Sequence, residues 1–195
     1  MEQNEILAIL NQAGKLKLTY RHCFFEGGRR ESVADHSYRL ALFGMLLSYE
    51  PEFRAVDMDK VIRMCLIHDL GESFTGDIPS FEKSESDVRV EDDSLHAWVA
   101  SFPPEIREPF QSLLSEMEAL ETREAKIYKA LDKLEAVLSH DESDVASWLP
   151  LEFDLQLRYG AENVEGEPYL EKMKKIIDRM TREKIASFRE ESERA

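Results

Sequence analysis

Apolar residues in this chain recur at helical spacing, and no segment alternates convincingly with period two. The clearest stripe lies in residues 122–140, with Ile127, Ala130, Leu131, Leu134, Val137 and Leu138 on one face. Residues 4–14 repeat the pattern with Ile6, Leu7, Ile9 and Leu10. Residues 32–49 do so with His36, Leu40, Phe43 and Leu47. Asp57 is a good N-cap for a helix carrying Val61, Met64, Cys65 and His68 at i, i+3, i+4 and i+7. Thr75-Gly76-Asp77-Ile78-Pro79 reads as a loop. Residues 87–100 suit a helix, and Pro103-Pro104 suits the start of another near residue 105. Helices over 144–159 and 168–190 complete the set, the last with Tyr169, Met173, Ile176, Ile177, Met180 and Phe188. Residues Arg189 to Ala195 are mostly charged and are expected to fray. The expected fold is all-α, a single helical bundle over residues 1–195 without a substantial sheet.

Composition excludes several functions. A chain of 195 residues is one domain by size. A net charge of −15 opposes broad binding to nucleic acid, although a small anion answers only to its own pocket. No run approaches the roughly 20 apolar residues of a membrane span. Met-Glu-Gln-Asn-Glu lacks the basic start and apolar core of a signal peptide. Cys23 and Cys65 form no recognisable framework, so a reduced, cytoplasmic protein is expected. There is no G-x-S-x-G elbow, no glycine-rich dinucleotide loop and no Walker A lysine.

The chemistry concentrates around His68-Asp69, inside Met-Cys-Leu-Ile-His-Asp-Leu-Gly-Glu-Ser-Phe-Thr-Gly-Asp, residues 64–77. Imidazole and carboxylate together suit a divalent transition metal, but a dipeptide cannot hold an ion alone. Only five histidines exist: His22, His36, His68, His96 and His140. His36 shares the face of Leu40 and Leu47 and should point inward; taken alone it also reads as a core-edge histidine satisfied by hydrogen bonds. Asp132 flanks the apolar stripe of 122–140, where a charge is costly unless paired or coordinated. Its plainer reading is a surface ion pair with Lys129 or Lys133, worth under about 1 kcal/mol. His36, His68-Asp69 and Asp132 lie on three separate helices, which suits a site assembled inside a bundle. Glu72 follows His68 by four residues and Asp69 by three, so on a continuing helix it shares their face. There it would oppose the dipole of the helix C-terminus. Asp77 follows Gly76 in a turn, where Asp is common for local reasons. His96 and His140 read as surface or structural.

The pattern H…HD…D resembles the HD-domain metal-dependent phosphohydrolase superfamily. Arg21, Ser-Val-Ala-Asp-His-Ser (residues 32–37), His-Asp-Leu-Gly-Glu (68–72), Thr-Gly-Asp-Ile-Pro (75–79) and Lys83 are similar to its 5′-deoxynucleotidase branch. The likeness covers about residues 15–140, leaving the helices of 144–190 outside it. The resemblance implies that His36, His68, Asp69 and Asp132 hold one divalent ion, with Mn²⁺, Co²⁺, Fe²⁺, Zn²⁺ and Ni²⁺ all compatible with two nitrogens and two oxygens. It implies that Glu72 handles a proton and that Asp77 meets the sugar or the reacting phosphate. It also implies that Arg21 and Lys83 neutralise a phosphomonoester. Close relatives often carry an aromatic residue right after the equivalent of Arg21. Here it is His22, which stacks but also hydrogen-bonds, so deoxyribose and ribose both stay open.

The implied substrate is a (deoxy)nucleoside 5′-monophosphate, attacked by water. Another phosphoester or a cyclic nucleotide, and a non-enzymatic metal- or nucleotide-binding module, are the alternatives. The resemblance also implies a homodimer. Trp98, Phe102, Trp148 and Leu149 are candidate interface residues, with core packing as their commoner fate.

Overall fold

The computed structural model describes residues 1–25 and 27–194. Its helices begin where the sequence supplies caps. Helix α1 spans Gln3–Ala13 and is followed by a hairpin of β1 (Tyr20–Phe24) and β2 (Arg30–Ser32), paired antiparallel with an irregular register. Then come α2 (Val33–Leu47), α3 (Met58–Ile67), the short α4 (Glu72–Thr75), α5 (Glu85–Ala100), α6 (Pro104–Ala119), α7 (Arg123–Glu142), α8 (Glu152–Arg158) and α9 (Pro168–Arg194). Asp57 caps α3 as expected, its side chain accepting from the Lys60 amide at 3.0 Å. Thr122 does the same for α7 through the Ala125 amide at 3.2 Å.

The all-α expectation holds, with three local differences. The hairpin is too short to show a period-two pattern, yet it carries Arg21 and His22. The expected helix over 144–159 is broken into a 3-10 turn at Val145–Ser147 and the separate helix α8. Pro150 supplies the break, since it lacks an amide donor and disfavours helical geometry at Leu149. The charged end continues as helix to Arg194 instead of fraying at Arg189; Ala195 lies outside the described residues. Among the described residues, no helix is long and apolar enough to cross a membrane.

Helix α7 runs through the middle of the core. Ile127, Ala130, Leu131, Leu134 and Val137 are fully buried against Val33 and Leu40 of α2 and Val61, Met64 and Cys65 of α3. Truncating one of these leucines to alanine would cost about 2–5 kcal/mol. A smaller cluster of Val145, Trp148 and Ile185, joined by Phe153, Leu157 and Phe188, fastens α8 to α9. Phe102 and Trp148 are thus core residues, and Trp98 packs against the core. Exposed apolar side chains occur elsewhere, among them Ile6, Leu7 and Leu10 on α1, Tyr38, Met45 and Leu46 on the outer face of α2, and Ile176 and Met180 on α9.

Candidate metal centre and its cavity

Local sequence rules aim each polar side chain inward. Ser32 and Asp35 form a reciprocal capping box: the Ser32 hydroxyl accepts from the Asp35 amide at 3.1 Å, and the Asp35 carboxylate accepts from the Ser32 amide at 2.9 Å. That fixes the start of α2 and leaves the next residue, His36, on the buried face. Helix α3 ends at Ile67, with His68 as its last helical-geometry residue. The chain then tightens through Leu70 and re-enters a helix at Glu72. Gly71 permits this turn to press on α5, since a Cβ there would lie 2.6 Å from Cγ of Glu91. Glu72 therefore opens α4 rather than closing α3, and the dipole penalty expected for it does not apply. Gly76, at φ 83°, ends α4 and leads into Asp77.

Four donor atoms converge. Nε2 of His36 lies 3.2 Å from Nε2 of His68, 3.4 Å from Oδ1 of Asp132 and 3.8 Å from Oδ2 of Asp69. Nε2 of His68 lies 2.9 Å from Oδ2 of Asp69 and 3.8 Å from Oδ1 of Asp132. His36, His68 and Asp69 each offer a ligand atom within 4.8 Å of the others, a group that could hold a metal ion, and Oδ1 of Asp132 lies beside them. The outer nitrogens are committed elsewhere. His36 Nδ1 is hydrogen-bonded to Glu135, and His68 Nδ1 lies 2.9 Å from the Cys65 carbonyl. Both Nε2 atoms are then the ones that face inward, where a ligand atom is needed.

The charges around this point are strongly coupled. Burial would raise the Asp69 carboxyl, but His68, and His36 beyond it, hold it below the usual range. Asp132 is likewise held low against burial by Lys133 and Lys129, which contact its Oδ2 at 3.2 and 3.1 Å, and by His36. Burial and Arg21 push the His36 imidazole down, yet Glu135 and Asp132 outweigh them and raise it to about 9. Glu72 moves the other way. Burial, with Asp69, Asp77 and Glu91 nearby, raises its carboxyl to about 10. Its Oε2 is buried with no hydrogen-bond partner among the described residues. Burial also raises Asp77.

A cavity of about 440 Å³ opens beside the centre and is lined by His68, Asp69, Glu72, Asp77 and Asp132. Arg21, His22 and Lys83 line it too, so the structure gathers every singled-out residue except the wholly buried His36 around one space. Arg21 and Lys83 are not bare cations. Arg21 Nε pairs with Glu31 at 3.0 Å, with Nη1 3.9 Å from Asp69, and Lys83 donates to Glu91 at 2.6 Å. His22 packs edge-on to Phe81 and lies 3.5 Å from Oε2 of Glu152. Lys129 and Lys133, which could have been surface partners of Asp132, line the same cavity.

Other participants escaped the sequence reading. Glu135 and Glu31 are almost wholly buried and are joined through Ser139 and Arg39: Arg39 Nε donates to Glu135 at 2.6 Å, and the Ser139 hydroxyl donates to Glu31 at 2.6 Å. The spacing of Glu135, three residues after Asp132 beside the apolar stripe, was the available signal. His96 is a half-exposed partner of Glu118, as a structural reading expects. His140 lies 2.9 Å from Glu152 but also lines the cavity.

The chain is similar to several known proteins. The HD domain family matches residues 13–174. The 5′-deoxynucleotidase HDDC2 of Dictyostelium discoideum is 34% identical over 133 residues, covering 64% of this chain and 70% of that protein. The human 5′-deoxynucleotidase HDDC2 is 30% identical over 141 residues, covering 70% of this chain and 67% of that protein. A solved structure described as a predicted metal-dependent phosphohydrolase from Magnetospirillum magnetotacticum superposes with a TM-score of 0.76 and 26% identity, covering 93% of each chain. The chain belongs to the HD domain family, on its 5′-deoxynucleotidase-like branch of metal-dependent phosphohydrolases.

Proposed function

We propose that the cavity takes a (deoxy)nucleoside 5′-monophosphate and that water cleaves its phosphomonoester bond. The observation that carries this reading is the convergence of four candidate ligand atoms at the wall of a cavity that Glu72, with its buried, unpartnered Oε2, also lines. His36, His68, Asp69 and Asp132 would hold one divalent ion, with Mn²⁺, Co²⁺, Fe²⁺, Zn²⁺ and Ni²⁺ all suited to the donor set. When bound, such an ion supplies Lewis-acid polarisation of a phosphoryl oxygen and a lowered pKa for water.

The protein's own groups do the rest. Arg21, its guanidinium oriented by Glu31, and Lys83 bind phosphate oxygens. Asp77 and His22 flank the sugar. Glu72 moves a proton: its carboxyl, kept protonated by burial and neighbouring acids, gives that proton to the leaving 5′-oxygen. Water adds to phosphorus, the bond from phosphorus to the 5′-oxygen breaks, and nucleoside and inorganic phosphate result. We read the exposed apolar face of α1 and α2 as the contact of a homodimer. The free, buried Cys23 and Cys65 suit a reducing cytoplasm.

The test is phosphate release from a panel of ribo- and deoxyribonucleoside 5′-monophosphates with Mn²⁺ or Co²⁺. Release from members of this panel, and not from sugar phosphates or cyclic nucleotides alone, is expected. No release from any mononucleotide would overturn the reading.

A further inference from the structure

The structure assigns Gln156 of α8 as a residue that reads the base of the substrate. This rests on the nucleotide reading above and extends it to a part of the chain outside the motifs. Gln156 is 4% exposed and lines the cavity, yet its carboxamide finds no hydrogen-bond partner among the described residues. Its polar atoms are not sealed from the cavity, so a ligand seated there can take over the hydrogen bonds that solvent otherwise makes with them. Its donor and acceptor sit side by side, the pattern that matches the hydrogen-bonding edge of a nucleobase.

The surroundings place this amide at the distal end of a ligand anchored on the metal centre. Two tethers run from the centre to α8. On one side, Lys133 contacts Asp132 at 3.2 Å and donates to the Tyr159 hydroxyl at 2.9 Å, with its ammonium 4.9 Å from the centre of that ring. On the other, His22, next to Arg21, lies 3.5 Å from Glu152. Glu152 on α8 and Tyr159 just past its end bracket Gln156, and Leu155 and Tyr159 offer apolar surface to a flat ring. The seat is held firmly. Gly160 adopts φ +75°, and a Cβ there would lie 2.7 Å from Cβ of Lys133, so the chain after α8 approaches α7 as only glycine permits.

The cavity also has an apolar lining from α5 and α6, at Leu95, Leu114 and Met117, and from Leu120 after α6. A base seated there would make Gln156 irrelevant, which gives the test its contrast. With metal-loaded protein, kcat/KM is measured for the four deoxynucleoside 5′-monophosphates and for 2-deoxyribose 5-phosphate, which lacks a base. For Q156L, the ratio of nucleotide to sugar-phosphate turnover is expected to fall about 3- to 10-fold, the value of one hydrogen bond. For the near-isosteric Q156E, which accepts but does not donate when ionised, deoxyadenylate and deoxycytidylate should gain on thymidylate. Calorimetric binding of the same ligands should follow both trends. An unchanged ratio in Q156L, or an unchanged base order in Q156E, overturns the assignment. Should Q156L not fold, Q156E decides alone. If the wild type hydrolyses none of these compounds, the enzymatic reading fails, and calorimetry still decides whether Gln156 distinguishes a base from no base.

Discussion

Nδ1 of His36 donates to Oε2 of Glu135, a buried carboxylate one helical turn beyond Asp132 on α7. Arg39 holds the other oxygen of that carboxylate. One turn of helix thus carries both a candidate ligand and the group that orients another, so Nε2 of His36 meets Oδ1 of Asp132 at 3.4 Å. Outer partners of this kind are commonly worth 10–100-fold in metal affinity. Glu135→Ala should weaken metal binding by about that factor and lower stability by about 3–5 kcal/mol, because it leaves buried charge uncompensated. Glu135→Gln, which still accepts from Nδ1, should recover part of the affinity. Metal titration by calorimetry with parallel melts separates the two effects; equal affinity in all three proteins would contradict the positioning role.

Removing a first ligand should be more severe. Asp69→Ala is expected to purify without bound metal, while circular dichroism still reports the helices. Chelation of wild-type protein should lower its melting temperature, since any ion that binds only the folded state stabilises it. Stoichiometric metal in Asp69→Ala, read by elemental analysis, would contradict the ligand assignment.

Metal uptake should also depend on pH. In the ion-free protein the His36 imidazole is raised from 6.5 to about 9. Its protonation therefore favours the ion-free fold fully below pH 6.5, and that contribution is lost as pH rises through about 9. An incoming ion competes with this proton, so affinity should rise from pH 6.5 toward 9, and binding at pH 7 should release protons. Calorimetry in buffers of different ionisation enthalpy measures the release. Zero proton release at pH 7 would contradict it.

Away from the centre, Asp141 packs between α7 and α9, where one oxygen accepts from Thr181 at 2.9 Å and the other is buried without a partner. Burial raises this carboxyl from 3.8 to about 6. Its contribution to stability is therefore present below pH 3.8 and lost as pH rises through 6. Asp141→Asn should stabilise the protein at pH 8 by about 1 kcal/mol, discounted for partial solvent contact, or about 2–4 °C. The gain should vanish near pH 4; a gain of equal size at both pH values would show that ionisation is not its cause.

Gly160→Ala should cost at least about 1–3 kcal/mol, because it demands both a left-handed conformation and space occupied by Lys133. Chemical denaturation measures the loss. A neutral outcome would mean that α8 is not pinned to α7 at this point.

The bundle was readable because burial leaves a 3.6-residue imprint, most clearly on α7, and because Asp57 follows a local capping rule. That His36, His68, Asp69 and Asp132 come together was readable because imidazoles are scarce, an acid is conspicuous on an apolar stripe, and the order H…HD…D resembles a known family. The hairpin was not, since five- and three-residue strands are too short for alternation to register. Glu72 was placed on the wrong helix because the re-entrant turn at Gly71 depends on contact with Glu91, a tertiary event. Glu31 and Glu135 look like ordinary surface acids until Arg21, Arg39, Ser139 and His36 surround them. Gln156 had no sequence signal at all: its significance lies in what it does not touch.

The most direct test of metal-assisted phosphomonoester hydrolysis at this centre compares wild type with Glu72→Gln, measuring metal content and phosphate release from deoxynucleoside 5′-monophosphates on the same preparations. The predicted result is full metal occupancy in both proteins and a kcat lowered by about 10²–10⁴ in the variant, the usual worth of a positioned acid or base. Equal turnover at equal metal content would remove Glu72 from the reaction and contradict the mechanism.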